Sequence, residues 1–257
     1  MYLMLGTHPN LAYTIGKLAW FSANPSLEHL HALEHIFAYV NQTGHYCLTY
    51  LADGKIFPCG YVNADFASDP SDQTSISRYT FIVASGAFSW SSKKQQSVMM
   101  STMEAEYTTT HSGSLNALWV WQFFKQIGLH FENPLTLYCD NQGAITTAKA
   151  KQTHQCLKHI DIKHHSICQN IEWSLIQLNY VPSKENLVDI FTKSLPYEAH
   201  NQSAQDLGLM YFVVDKDTDA SISQYLSINS EGDGWIEREC WKLTIESNTS
   251  TNQIPCL

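Results

Sequence analysis

Four short stretches put oxygen-bearing side chains where chemistry could happen. Gly60-Tyr61-Val62-Asn63-Ala64-Asp65-Phe66-Ala67 alternates like a strand and carries Asn63 and Asp65 on one face, about 7 Å apart. Ser101-Thr102-Met103-Glu104-Ala105-Glu106-Tyr107 opens a helix with glutamates in its first turns. Asp140 follows the apolar run Leu137-Tyr138-Cys139, and Asp189 sits in Asn186-Leu187-Val188-Asp189-Ile190-Phe191-Thr192-Lys193. Strands and helices in this order would bring carboxylate oxygens to one end of a sheet, which is how proteins hold hard divalent cations. Each acid also has a plainer role. Asp140 could cap the helix beginning at Asn141-Gln142, Glu106 could be an acid favoured by the helix dipole, and Asp189 could be an exposed helix acid. Glu104, three residues after Ser101, fits a capping box better than a ligand set.

The elements that must position these residues are legible from periodicity. Residues 9–24 predict a helix with Leu11, Ile15, Leu18 and Phe21 on one stripe, stopped by Pro25. Ser26 caps a second helix with a predicted buried stripe of Leu30, Leu33, Phe37 and Val40, ended by Gly44. Tyr46–Leu51 and Lys55–Val62 flank Asp53-Gly54, a hairpin signal. Tyr79–Ala84 and Ala87–Ser91 predict two more strands, with Val98-Met99-Met100 continuing or re-entering the sheet. A helix from Ser101 to Ile127 should bury its apolar second half and end at Gly128. A strand at Leu135–Cys139, helices from Gln142 and over 158–171, a strand at Ser174–Val181 and a short helix at Lys184–Lys193 complete an α/β layered order.

The chain has 257 residues, 44% apolar and 15% charged, which suits a globular protein with a full core. Its net charge of −9 speaks against a general nucleic-acid binder, although a local patch could still grip a duplex. Arg78, Lys93, Lys94 and Gln142 are the candidates for that patch. Seven scattered cysteines without a C-x-x-C pair suit a reducing compartment, so the expected location is intracellular, cytoplasmic or nuclear, and not secreted. No signal peptide and no apolar run near the ~18 residues of a membrane span is present in the sequence. His154, Cys156, His159, Asp161, His164, His165 and Cys168 have spacings that permit zinc, but His/Cys spacing alone is a loose filter. Asp161 and His165 share a helix face, so an Asp–His pair is the simpler reading. Phe66, Phe88, Trp90 and Tyr107 could stack on bases, but packing in the core explains such aromatics more simply.

The motifs from Gly60 to Glu106, with Phe88-Ser89-Trp90-Ser91-Ser92-Lys93-Lys94-Gln95 between them, and those around Asp140, Lys158–His165 and Asp189, resemble the ribonuclease H domain of copia-type retrotransposon polyproteins. The phrases His8-Pro9-Asn10-Leu11-Ala12-Tyr13 and Asn24-Pro25-Ser26-Leu27-Glu28-His29 resemble the segment between polymerase and nuclease in the same polyproteins. The resemblance implies a ribonuclease H-like mixed five-stranded sheet with flanking helices, preceded by a small helical hairpin. The implied domains are 1–44, a remnant of the reverse transcriptase connection; 45–196, the ribonuclease H-like domain; and 197–257, an acidic, poorly ordered tail. From Asn201 onward that tail has nine acids against three bases. The polymerase motif with paired aspartates is absent, so no DNA synthesis is expected; Met1 falls inside what the family treats as continuous sequence, so a truncated element or a fragmentary gene model is expected.

The activity implied is hydrolysis of the RNA strand of an RNA/DNA hybrid with two Mg²⁺, or Mn²⁺, ions. By motif, the family's Glu falls on Glu106, its second Asp on Asp140 and its last Asp on Asp189. Its first Asp falls on Asn63, which brings no charge and cannot bridge two cations. Losing that ligand should cost several kcal/mol of transition-state stabilisation, roughly 10³-fold in rate. Asp65 could reach a metal only if the strand end shifted, and His165 is a candidate for proton transfer or for ordinary packing. Two functions are therefore expected to compete: an impaired ribonuclease H, with reverse transcriptase supplied in trans, or a non-catalytic relic that binds nucleic acid or protein.

Overall fold

A computed structural model describes residues 1–51, 56–69, 72–149, 161–193 and 195–213, with two further strands at Gln224–Ile228 and Trp235–Glu239. Three helices come first: α1 (Tyr2–Gly6), α2 (Ala12–Ala19) and α3 (Leu27–Gln42). Strands β1 (Tyr46–Leu48), β2 (Cys59–Asp65), β3 (Ile76–Val83) and β4 (Gly86–Lys94) precede the long helix α4 (Thr102–Gln126). Then come β5 (Leu135–Cys139), α5 (Gln142–Lys149), α6 (Asp161–Glu172) and β6 (Ile176–Tyr180). Two 3-10 turns, Ser183–Glu185 and Leu187–Phe191, lead to α7 (Tyr197–Asp206) and β7 (Leu209–Val213), followed by β8 (Gln224–Ile228) and β9 (Trp235–Glu239). Among the described residues no helix is long and apolar enough to cross a membrane.

The central sheet has the order β4-β3-β2-β5-β6. β2, β3 and β4 are antiparallel neighbours, while β5 runs parallel to β2 and β6 parallel to β5. This is the mixed five-stranded sheet with flanking helices expected of a ribonuclease H-like fold. Strand alternation divides the core between its two faces. Val62, Phe81, Leu137 and Leu178 pack with Tyr107, Ala117 and Val120 of α4, with α5 and with Ile167 of α6. Tyr61, Ile82 and Trp90 face the other way, against Ala12, Val188, Ile190, Phe191 and Leu207.

Several expectations are corrected. Tyr46–Leu48 does not pair with the strand that follows it. Both edges of β2 are occupied, by β3 and β5, and β1 pairs instead with β7. Residues 197–213 are accordingly not a loose tail. Leu207 and Leu209 are buried in the second core, and Gly208, at φ +86°, turns α7 into β7. Asp53-Gly54 lies outside the described residues. In α3 the buried residue is Ile36, whereas Leu30, Leu33 and Phe37 point outward. In α4 the first half carries the denser burial, Ala105–Thr110, while Leu115 and Trp119, and Ile127 just past its end, are exposed. That helix lies flat on the sheet where its residues are small: a Cβ on Gly113 would meet Val62 Cγ1 at 2.5 Å. The last short helix is resolved into the two 3-10 turns, and Val98–Met100 is not strand.

Candidate active site

β2 runs past the end of its parallel neighbour. Its last pair with β5 is Val62 with Cys139, so Asn63, Ala64 and Asp65 extend beyond that edge, and Asp140 begins the loop at the same end. α4 crosses here, and Ala105 beneath Ala64 brings Glu106 to the strand end. The Ala64 N–H donates to the Glu106 carboxylate. Glu106 is 4% exposed, and its Oε2 has no hydrogen-bond partner. Ligand atoms of Glu106, Cys139 and Asp140 lie within 4.8 Å of one another.

Burial pushes the Glu106 carboxyl up to about 8. The Asp140 charge adds to that rise, while the Ala64 N–H and the Arg78 charge oppose it. Burial likewise holds the Cys139 thiol up at about 12, which keeps it neutral and unsuited to a hard cation. The fit to a divalent metal therefore rests on two carboxylates, one of them with an orphaned buried oxygen. Asp140 is not spent on capping α5, because Asn141 Oδ1 accepts from the Ala144 N–H at 3.0 Å. Glu104 is the cap partner, though its side chain accepts from the Met100 N–H at 2.8 Å while Ser101 Oγ takes the Glu104 N–H.

The other half of the constellation is arranged differently. Asn63, buried, donates from Nδ2 to Asp189 Oδ1 at 3.3 Å. Lys193 Nζ lies 3.0 Å from Asp189 Oδ2, so both oxygens of Asp189 are already engaged. The turn bearing Asp189 is fixed by Asn186, whose Oδ1 accepts from the Val188 N–H at 3.3 Å and whose Nδ2 donates to the Val62 carbonyl at 3.1 Å. Sequence reasoning gave Asn186 and Lys193 no role. A cap-type residue three positions before Asp189 was the available signal for the first.

Asp65 does not reach this cluster. Its carboxylate pairs with Arg78 at 3.2 Å, and Arg78 is wholly buried. Arg78 therefore cannot be part of an exposed nucleic-acid patch, which corrects the expectation from sequence. Lys94 is paired with both Asp69 and Asp72, whereas Lys93 and Gln142 are exposed. His165 is exposed on α6. Of the permitted zinc set, Cys168 donates from Sγ to the Ala148 carbonyl at 3.2 Å, while His154, Cys156, His159 and the side chains of Asp161 and His164 lie outside what the structure describes. Tyr107 and Phe88 pack in or against the core, and Trp90 donates to the Met4 carbonyl at 2.7 Å; of that aromatic set only Phe66, at 38%, is exposed.

The sheet order and its flanking helices define the class: a ribonuclease H-like α/β domain. No protein-family model matches the chain. The retrovirus-related Pol polyprotein from transposon TNT 1-94 of Nicotiana tabacum is 34% identical over 196 residues, 76% of this chain and 15% of its own length. The corresponding polyprotein from transposon RE1 of Arabidopsis thaliana is 30% identical over 203 residues, 79% of this chain and 14% of its own. A shorter protein, the secreted RxLR effector protein 161 of Plasmopara viticola, is 37% identical over 120 residues, covering 47% of this chain and 84% of its own length. Among solved structures, RNase H1 of Halobacterium salinarum has a TM-score of 0.37 at 10% identity, over 51% of this chain and 89% of that one. LC11-RNase H1, solved with an RNA/DNA hybrid, has a TM-score of 0.36 at 13% identity, over 50% and 88%. The chain belongs to the retrovirus-related Pol polyproteins of plant copia-type transposons. It spans about 15% of the length of the first of those relatives.

Proposed function

We propose that this chain is a retrotransposon-derived ribonuclease H that cuts the RNA strand of an RNA/DNA hybrid, weakly, with Mg²⁺ or Mn²⁺. The observation that carries this reading is the buried, unpartnered Glu106 oxygen beside Asp140 at the end of the mixed sheet. Glu106 and Asp140 are the residues that would hold a cation. When bound, the cation supplies Lewis acidity that activates water and stabilises the leaving oxygen. The Ala64 N–H orients Glu106, and Asn186 sets the turn that presents Asp189. Lys93 and Gln142, both exposed, would contact the hybrid. Asn63 contributes an amide donor to Asp189 where a carboxylate ligand would serve two cations, which weakens the reaction. The setting is intracellular, with reverse transcriptase supplied in trans.

A second reading, a non-catalytic relic that only binds hybrid or protein, is favoured by one observation: both oxygens of Asp189 are already engaged, by Asn63 and by Lys193. Cleavage of a labelled RNA/DNA hybrid in Mg²⁺ and in Mn²⁺ separates the two. The enzyme reading expects slow cutting of the RNA strand that Asp140→Asn abolishes. No cutting would favour the relic, and cutting indifferent to Asp140→Asn would overturn the assignment of the cation to Glu106 and Asp140.

A further inference from the structure

Arg78 is an unusual residue to find on the second sheet face. It is 0% exposed, and only Nη2 is engaged, by Asp65 at 3.2 Å and the Thr192 carbonyl at 3.4 Å; Nε and Nη1 are buried without partners. A buried guanidinium with unmet donors is costly unless anions lie close by. In the register of β2 and β3, Arg78 stands directly across from Asn63, so the two side chains share one face with their Cβ atoms roughly 5 Å apart. Asn63 in turn holds Asp189, which Lys193 also pairs. The Asn63 side of the cluster thus already has two positive groups, the buried Arg78 paired with Asp65 and the exposed Lys193 paired with Asp189. Glu106 and Asp140 have converging oxygens instead, with Glu106 Oε2 unpartnered.

We propose that Arg78 is a built-in cation of this site, taking over with Lys193 the charge balance of one divalent ion, so that the chain binds a single divalent cation at Glu106 and Asp140. The proposal deepens the ribonuclease H reading and rests on it for the identity of the carboxylates. It has a consequence that Asn63 alone would not suggest. A carboxylate placed at position 63 would stand directly across the strand pair from the buried Arg78 charge and be drawn to it, so restoring the acid would not by itself restore a second cation. Both changes are needed.

The test counts bound Mn²⁺ by electron paramagnetic resonance, without nucleic acid, so its result stands whether or not the chain cleaves hybrid. The natural protein and Asn63→Asp should each bind one ion, and Glu106→Gln should lose it. Asn63→Asp combined with Arg78→Met, which keeps volume and removes charge, should bind two. Two ions on the natural protein or on Asn63→Asp alone would overturn the proposal, as would none on the natural protein. A folded double variant that still binds one would overturn it as well. The first two counts do not depend on whether the double variant folds.

Discussion

Glu106 is where a single side chain reports on the whole site. Its carboxyl is held at about 8 by burial, far above the ordinary glutamate value near 4.5. A folded-state pKa raised in this way gives stability that is full below the unfolded value and is lost as pH rises through about 8. Metal-free protein should therefore lose several kcal/mol between about pH 5 and pH 8 relative to Glu106→Gln, which keeps an acceptor for the Ala64 N–H but does not titrate. Thermal denaturation of both proteins across that range checks it; parallel curves would contradict it. Mn²⁺ should remove much of the loss, because a cation favours the ionised carboxylate. At this scale motif and order in the sequence pointed to Glu106 and Asp140 at one sheet end, and their ligand atoms do lie within 4.8 Å. It was misleading about Arg78, because arginine ordinarily belongs at the surface and its burial comes from packing against segments distant in the chain. The same non-local register puts Arg78 across from Asn63, and no local pattern could have signalled it.

Among elements, α4 and β2 set how close the acids come. Gly113 lets the helix rest on Val62, and an added Cβ would meet Cγ1 at 2.5 Å. Val62 is fully buried and β-branched, so it has little room to yield. Gly113→Ala should cost about 1–3 kcal/mol and lift Glu106 from the strand end. A lower melting temperature with weaker Mn²⁺ binding is the expected pair of changes; an unchanged melting temperature would show that the helix has slack. The start of α4 was legible through Ser101 and Glu104, and Gly128, at φ +88°, lies just past its end. The partner of β1 was not legible. Tyr46–Leu48 reads as half of a local hairpin, and only the occupied edges of β2 and the buried Leu207 and Leu209 direct it to β7. Which stripe of α3 turns inward was also hidden, since apolar residues lie on more than one of its faces.

For the whole molecule, charge limits what the proposed activity can achieve. The chain carries −9, Arg78 is buried and Lys94 is paired with two aspartates, leaving Lys93 as the exposed cation of the proposed patch. Hybrid binding should accordingly be weak and its salt dependence shallow, equivalent to about one or two phosphate contacts. Fluorescence anisotropy of a labelled hybrid over a KCl series measures the slope, and a slope many times steeper would point to a basic surface elsewhere. The overall α/β order was readable because strand and helix periodicities alternate cleanly through the central sheet. The extent of the folded unit was not, because the composition beyond Pro196 suggested a tail while α7 and β7 complete the second core. In the proposed function a ribonuclease H scaffold persists here with its metal site altered by Asn63 and Arg78. The most direct measurement is the single-turnover rate of hybrid cleavage in Mg²⁺ by the Asn63→Asp, Arg78→Met variant against the natural protein. The account predicts a rise of roughly 10³-fold, abolished by adding Asp140→Asn; equal rates from a correctly folded variant would contradict it.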